Sequence, residues 1–211
     1  MRRHGSALGL GRLDVGYVLV TSGDKGTHDP EATSEQVAAI REKEQRAAAR
    51  ALGVEECVFL GYPDGFVEDT AELRGKLVRE IRRFRPDVAI TWDPFRRSHN
   101  HRDHRVTGQA ALDALYPLSR SHLYYPEHRE EGLEPHRVEE ALLAGTDQPN
   151  HHVDVTEFFD KKMKALRCHK SQFGRYPFRE VRKRVRKRMA EVGKETGFKL
   201  AEAFRRIEWR W

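Results

Sequence analysis

The sequence predicts an α/β fold, a mostly parallel sheet with helices on both faces. Two observations carry this. Short apolar runs, Val15-Gly16-Tyr17-Val18-Leu19-Val20 and Val88-Ala89-Ile90-Thr91-Trp92 among them, alternate with helix-like segments through the first half of the chain. Polar, glycine-bearing clusters then follow each strand-like run, at Thr21 to Gly26, at Gly61 to Gly65 and from Asp93 onward. In an open parallel sheet the ligand crevice lies beyond the carboxyl ends of the strands, where these clusters fall.

In chain order, residues 14–21 read as a buried strand ending at Thr21-Ser22-Gly23. Residues 34–52, rich in Ala, Glu, Arg and Gln, read as a helix stopped by Gly53. Residues 56–60 read as a second strand. The next helix opens at Asp69 or Thr70, with Glu72 placed to form a capping box with Asp69. Leu73, Leu77, Ile81 and Phe84 share its apolar face, and Pro86 ends it. Residues 87–92 make a third strand, and a helix from about His101–Arg105 to Ala114 follows. Later strands are expected at 121–125, 140–144 and 151–155, a helix at about 157–169, and a basic helix at about 178–192. The length of 211 residues suits one domain, 1–211, with an atypical stretch at 1–13 and a basic, helical C-terminal region at 176–211.

Composition narrows the function classes. The net charge of +6 comes from 39 basic and 33 acidic residues. Much of the excess lies between Arg179 and Arg188, so binding of nucleic acid or phosphate would rest on 179–188 alone, and a solvated helix face is the simpler reading of that stretch. Nucleic acid is therefore not the expected partner. Cys57 and Cys168 do not make a disulfide framework, which suits a reducing, cytoplasmic setting. No apolar run has the length of a membrane span.

Several constellations could carry chemistry. In Ser98-His99-Asn100-His101-Arg102-Asp103-His104-Arg105, His101 and His104 are three apart and share a face if helical. Imidazole is a common metal ligand, and Asp103 could fix a ring tautomer. A polar loop with solvated histidines would show the same spacing. Asp93 follows the third strand, where a carboxylate either faces the crevice or caps the turn at Pro94. Asp64 in Pro-Asp-Gly is turn chemistry. Arg41 and Glu44 form a surface pair, or Arg41 clamps a ligand. The turn Thr21-Ser22-Gly23-Asp24-Lys25-Gly26 lacks the spacing of a nucleotide-binding loop, and no GxSxG motif is present.

Taken in order, these segments resemble one family. Thr21-Ser22-Gly23-Asp24-Lys25-Gly26 resembles its T-x-G-(E/D)-x-G turn. Arg41, Glu44, Ala48 and Leu52-Gly53-Val54 resemble its R-x-x-E…A…LGV helix. Phe59-Leu60-Gly61 with Asp64 resembles F-L-G-x-x-D. Ile81-Arg82, Arg85-Pro86-Asp87-Val88, Thr91 and Asp93-Pro94 resemble I-R…R-P-D-V-V-x-T-x-D-P, and His101 to His104 resembles H-x-D-H. Val153-Asp154-Val155-Thr156, Lys162, Ala165-Leu166, His169 and Ser171-Gln172 resemble V-D-I-T…K…A-L…H-x-S-Q, and Ala201 to Arg205 resembles A-E-A-F-R. The family is the PIG-L/LmbE-like N-deacetylases.

That resemblance implies a Rossmann-like α/β fold and zinc-dependent hydrolysis of N-acetyl groups on a small, sugar-containing molecule. It implies His104 as a zinc ligand, His101 as acid or oxyanion stabiliser, and Asp103 as the residue orienting it. Arg41, Asp64, Asp24 and Asp93 would contact substrate. Specificity is expected from side chains outside the motifs, Tyr124, Tyr125 and His128 among them. The family's first, central strand ends in A-H-P-D-D and supplies two zinc ligands and the general base. This sequence has no such run, so the sheet should be open at that place and the metal site incomplete. The alternatives are a truncated, inactive family member and the basic binding module at 179–188.

Overall fold

The structure is a computed structural model, and it describes residues 14–97 and 101–209. The expected Ser98, His99, Asn100 and the stretch 1–13 lie outside the described residues. Strand β1 (Gly16–Thr21) leads into helix α1 (Ser34–Leu52), then β2 (Glu56–Tyr62), α2 (Ala71–Phe84), β3 (Val88–Trp92) and α3 (Arg102–Leu115). After an irregular stretch come β4 (Glu140–Ala144), β5 (His151–Asp154), α4 (Phe159–Leu166), α5 (Lys170–Phe173), α6 (Phe178–Lys194) and β6 (Ala201–Glu208).

Local chemistry explains the boundaries. Thr33 caps α1 in a reciprocal capping box with Gln36, and Gly53 closes it in the left-handed region. Thr70, not Asp69, caps α2 through the Leu73 amide. Glu72 therefore sits one position early for a capping box. It pairs with Lys76 instead, while Asp69 holds Arg74 at 2.6 Å. Leu73 and Leu77 are buried, and Ile81 packs against two core clusters. The first cluster joins Val20, Val67, Leu73, Val78, Ala110 and Ala114 across β1, α2 and α3.

The sheet is divided. β1 and β2 pair in parallel, and β3 pairs in parallel with β4. β6 then runs antiparallel between β4 and β5, giving the order β3-β4-β6-β5. Among the described residues no two of the first three strands pair antiparallel, as expected: β1 and β2 pair in parallel, and β3 takes β4 as its neighbour. Among the described residues nothing bridges β1 and β3. The residues beside the gap are accordingly exposed for strand residues, with Val18 at 38%, Ile90 at 65% and Trp92 at 41%.

Two expectations change. Residues 121–125 are not a strand: they run through turns into a short 3₁₀ helix at Pro126–Arg129, because buried Arg82 gathers their carbonyls. The C-terminal region is helical only through α6, and residues 201–208 form β6. α6 itself seats Val181 and Met189, with Val185 beside them, on Phe159, Met163 and Leu200. Its basic residues Arg179, Lys183, Arg184 and Lys187 stay exposed. Among the described residues no helix is long and apolar enough to cross a membrane.

Candidate active site

The start of α3 organises the site. His101 is the N-cap, and its Nδ1 accepts the Asp103 amide N–H at 3.2 Å. A neutral His101 ring therefore carries its proton on Nε2. His104 lies one turn on. Its ring stacks on Trp92, the last residue of β3, with centroids 3.9 Å apart and planes at 8°. The two imidazoles are 5.3 Å apart. Burial pushes the His104 pKa below the ordinary histidine value and His101 reinforces this, against opposition from Asp103 and Asp64.

The Asp103 carboxylate does not orient His101. It is buried, and it accepts the Gly65 N–H at 2.6 Å and the Val67 N–H at 3.3 Å. It thereby ties the β2–α2 turn to the head of α3, while Arg102 donates to the Val67 carbonyl. What positions His101 is the backbone of Asp103. The motif H-x-D-H is thus one cap: its aspartate fixes the neighbouring turn, and that aspartate's own amide fixes the histidine.

A second set of contacts is built on α1. Arg41 donates to the Gly26 carbonyl at 2.6 Å. Its guanidinium fills the space that a Cβ at Gly23 or Gly26 would need, and Gly23 has φ +68°. These glycines let the turn close around the arginine. One residue further, Glu42 accepts from the Ser22 hydroxyl at 2.6 Å. Arg41 and Glu44, expected as a possible pair, serve different partners. Glu44 accepts the Ser171 N–H at 2.8 Å and its hydroxyl at 2.6 Å, fastening the head of α5.

Asp24 and Asp93 were expected to contact substrate, but the hydrogen bonds give them duties in the scaffold. Asp24 accepts the Asp64 N–H at 2.8 Å and pairs with Lys25 at 3.0 Å. Burial pushes its carboxyl up, but the Asp64 amide and Lys25 outweigh this and hold it below the ordinary value. Buried Asp93 accepts the Phe95 N–H at 2.8 Å, capping the turn after β3. Asp64 is half-buried and lies close enough to affect His104. Of the three residues expected to tune specificity, His128 is buried and Tyr125 packs along α2. Ser22, Glu42 and Trp92 were not singled out. Only Trp92 had a signal, as an aromatic residue at the carboxyl end of a strand.

Zinc can be tested against this donor set. A catalytic zinc takes three protein ligands within about 2.0–2.3 Å. The site offers two imidazoles, while the Asp103 and Asp24 carboxylates are engaged by backbone amides. Among the described residues no group of three or more His, Cys, Asp or Glu side chains could hold a metal ion. The described residues therefore do not fit a complete catalytic zinc site.

Fold and site together define a Rossmann-like α/β protein with an imidazole pair and anchored carboxylates at the carboxyl edge of its strands. The family model described as PIG-L, GlcNAc-PI de-N-acetylase, matches residues 11–115. The chain is 31% identical over 198 residues to the diacetylchitobiose deacetylase of Thermococcus kodakarensis, covering 92% of this chain and 72% of that one. It is 31% identical over 162 residues to a probable N-acetyl-alpha-D-glucosaminyl L-malate deacetylase 2 of Bacillus anthracis, covering 74% and 68%. The solved N,N'-diacetylchitobiose deacetylase of Pyrococcus horikoshii superposes with a TM-score of 0.84 at 31% identity, covering 92% and 73%. The chain belongs to the PIG-L/LmbE-like deacetylase family.

Proposed function

We propose that this chain carries the substrate-handling half of an N-deacetylase acting on a small, N-acetylated sugar-like molecule. The observation that supports it most is the His101–His104 pair, with one ring oriented by the Asp103 amide and the other stacked on Trp92. Amide hydrolysis needs charge stabilised on the carbonyl oxygen and a proton given to the departing nitrogen. The neutral His101 ring holds a proton on Nε2 for either task. Arg41 offers a rigid fork of donors and Asp64 an acceptor, a combination suited to sugar hydroxyls. Asp103, Asp24 and Asp93 keep the turns that carry these groups in place. Zinc enters this reading as a demand on ligands: His104 is one, and the described residues do not supply the others.

The test pairs binding with turnover. The 211-residue chain is titrated with N-acetylglucosamine and diacetylchitobiose while the histidine ring resonances are followed by NMR. Acetate release and bound zinc are measured in parallel. Sugar is expected to perturb the His101 and His104 rings, with weak zinc binding and little acetate. Joining a strand ending in A-H-P-D-D to the chain is expected to raise zinc binding and turnover together. Rings indifferent to sugar would sink the substrate assignment, and ready turnover with stoichiometric zinc by the unextended chain would show that the ligands are misassigned.

A further inference from the structure

We propose that Arg82 and His128 form an acid-sensitive latch that fastens residues 118–133 to α2 and, through α2, steadies the turn gripped by Asp103. Arg82 is only 3% exposed, and among the described residues its hydrogen bonds go to carbonyls and one imidazole, with no carboxylate among them. Its guanidinium instead donates to five carbonyls: Leu118 at 3.2 Å, Ser119 at 3.4 Å, Ser121 at 2.8 Å, Tyr124 at 2.8 Å and Tyr125 at 3.2 Å. One side chain thus gathers five backbone carbonyls of a segment whose own regular structure is only two short 3₁₀ turns.

The sixth partner is His128 Nδ1, 3.3 Å from the same guanidinium. Arginine can only donate, so Nδ1 must accept and the ring must be neutral. A proton on Nδ1 would remove the acceptor and set an N–H and a second positive charge against a buried cation. His128 is 4% exposed, so water cannot replace the lost bond without opening the segment. The other charges facing it are Arg79 from α2 and Glu127 and Glu131 from its own segment. Burial pushes the His128 pKa below its ordinary value of 6.5, and Arg82 adds to that. Arg82 also feels Glu127 and Glu134, which favour its charged form.

The latch reaches the site in few steps. The Tyr125 ring stacks on His128 and lies against Gly75, where any Cβ would crowd it. Its hydroxyl donates to the Ala71 carbonyl at 2.8 Å, in the first turn of α2. Four residues upstream of Ala71 is Val67, whose amide is held by Asp103.

The sign follows from linkage. A base whose pKa is lower when folded contributes stability that is present above about 6.5 and lost as pH falls below it, at up to about tenfold in the opening equilibrium per pH unit. His104, His136 and His169 are lowered too, so the readout must be local. The experiment is hydrogen exchange by mass spectrometry on the full chain from pH 7.5 to 5.5, corrected for intrinsic rates. Protection of residues 119–130 is expected to fall about tenfold per unit below pH 6.5, ahead of α6. In His128→Asn, whose side-chain oxygen still accepts from Arg82 but takes no proton, that slope should vanish. NMR titration of His128 in the parent chain decides the matter if the variant does not fold. A slope unchanged by His128→Asn, or a His128 ring that titrates at or above 6.5 while 119–130 stays protected, would overturn the latch.

Discussion

At the residue scale, Asp103 has the most to reveal, because it sits in a motif that invites a catalytic reading. Its carboxylate is buried against the Gly65 and Val67 amides. Asp103→Ala strands both donors and is expected to destabilise the fold by about 2–4 kcal/mol in urea unfolding. A loss below about 0.5 kcal/mol, the range of an incidental surface change, would return Asp103 to a purely local role at His101. Nothing in H-x-D-H discloses this, since the partners lie 36 and 38 residues away. Gly23 is a second case. Gly23→Ala meets both a left-handed backbone and the Arg41 guanidinium, whereas Gly61→Ala meets only the backbone conformation, with open space around it. The backbone strain costs about 1–3 kcal/mol at either site, so the excess at Gly23 measures how tightly the turn holds Arg41. Equal costs would mean that Arg41 moves aside freely.

At the element scale, what was legible in the sequence is what local chemistry decides. Helix α1 matches its expected span because Gly53 is a stop signal that works without tertiary help. The strand expected at 121–125 is absent because the conformation there is dictated by Arg82, a side chain from another helix, and no periodicity encodes that. Helix α5 shows the same dependence. Four residues cannot sustain a helix alone, since nucleation is unfavourable. Glu44 supplies acceptors for Ser171 from 127 residues away. Glu44→Ala is therefore expected to raise hydrogen exchange of residues 170–174 by about tenfold or more, given the worth of bonds to a charged acceptor, and to leave α6 unchanged. Unaltered exchange there would mean that α5 is held by its packing on α1 instead. The exposed face of α6 carries no such duty. Lys183→Glu with Lys187→Glu should move stability by less than about 0.5 kcal/mol, and the parent chain should not bind DNA or RNA tightly at physiological salt.

At the scale of the whole molecule, the sheet is the deciding feature. The strand-helix alternation forecast the layers, in which sheets are flanked by helices. The antiparallel placement of β6 between β4 and β5 escaped it, because strand order depends on contacts between distant segments. The order β1-β2 on one side and β3-β4-β6-β5 on the other also divides the site. Arg41 stands on the helix that follows β1, while His104 and Trp92 belong to the β3 side. Asp103, on the helix that follows β3, joins the two sides by accepting the Gly65 and Val67 amides of the turn that follows β2.

The break between β1 and β3 has a consequence for the protein as a solute. Among the described residues these strand edges have no neighbour, and with exposed Val18, Ile90 and Trp92 beside them they are templates for another polypeptide. In concentrated solution the most abundant polypeptide is the chain itself, so self-association should grow with concentration in sedimentation velocity, and high salt should not reverse it. Trp92 supplies its own optical reporter: covering it moves the indole into a drier setting and shifts its emission to the blue. An extended peptide with alternate aliphatic residues, added in excess, should produce that blue shift and suppress the self-association together, as a ligand competing for one receptor.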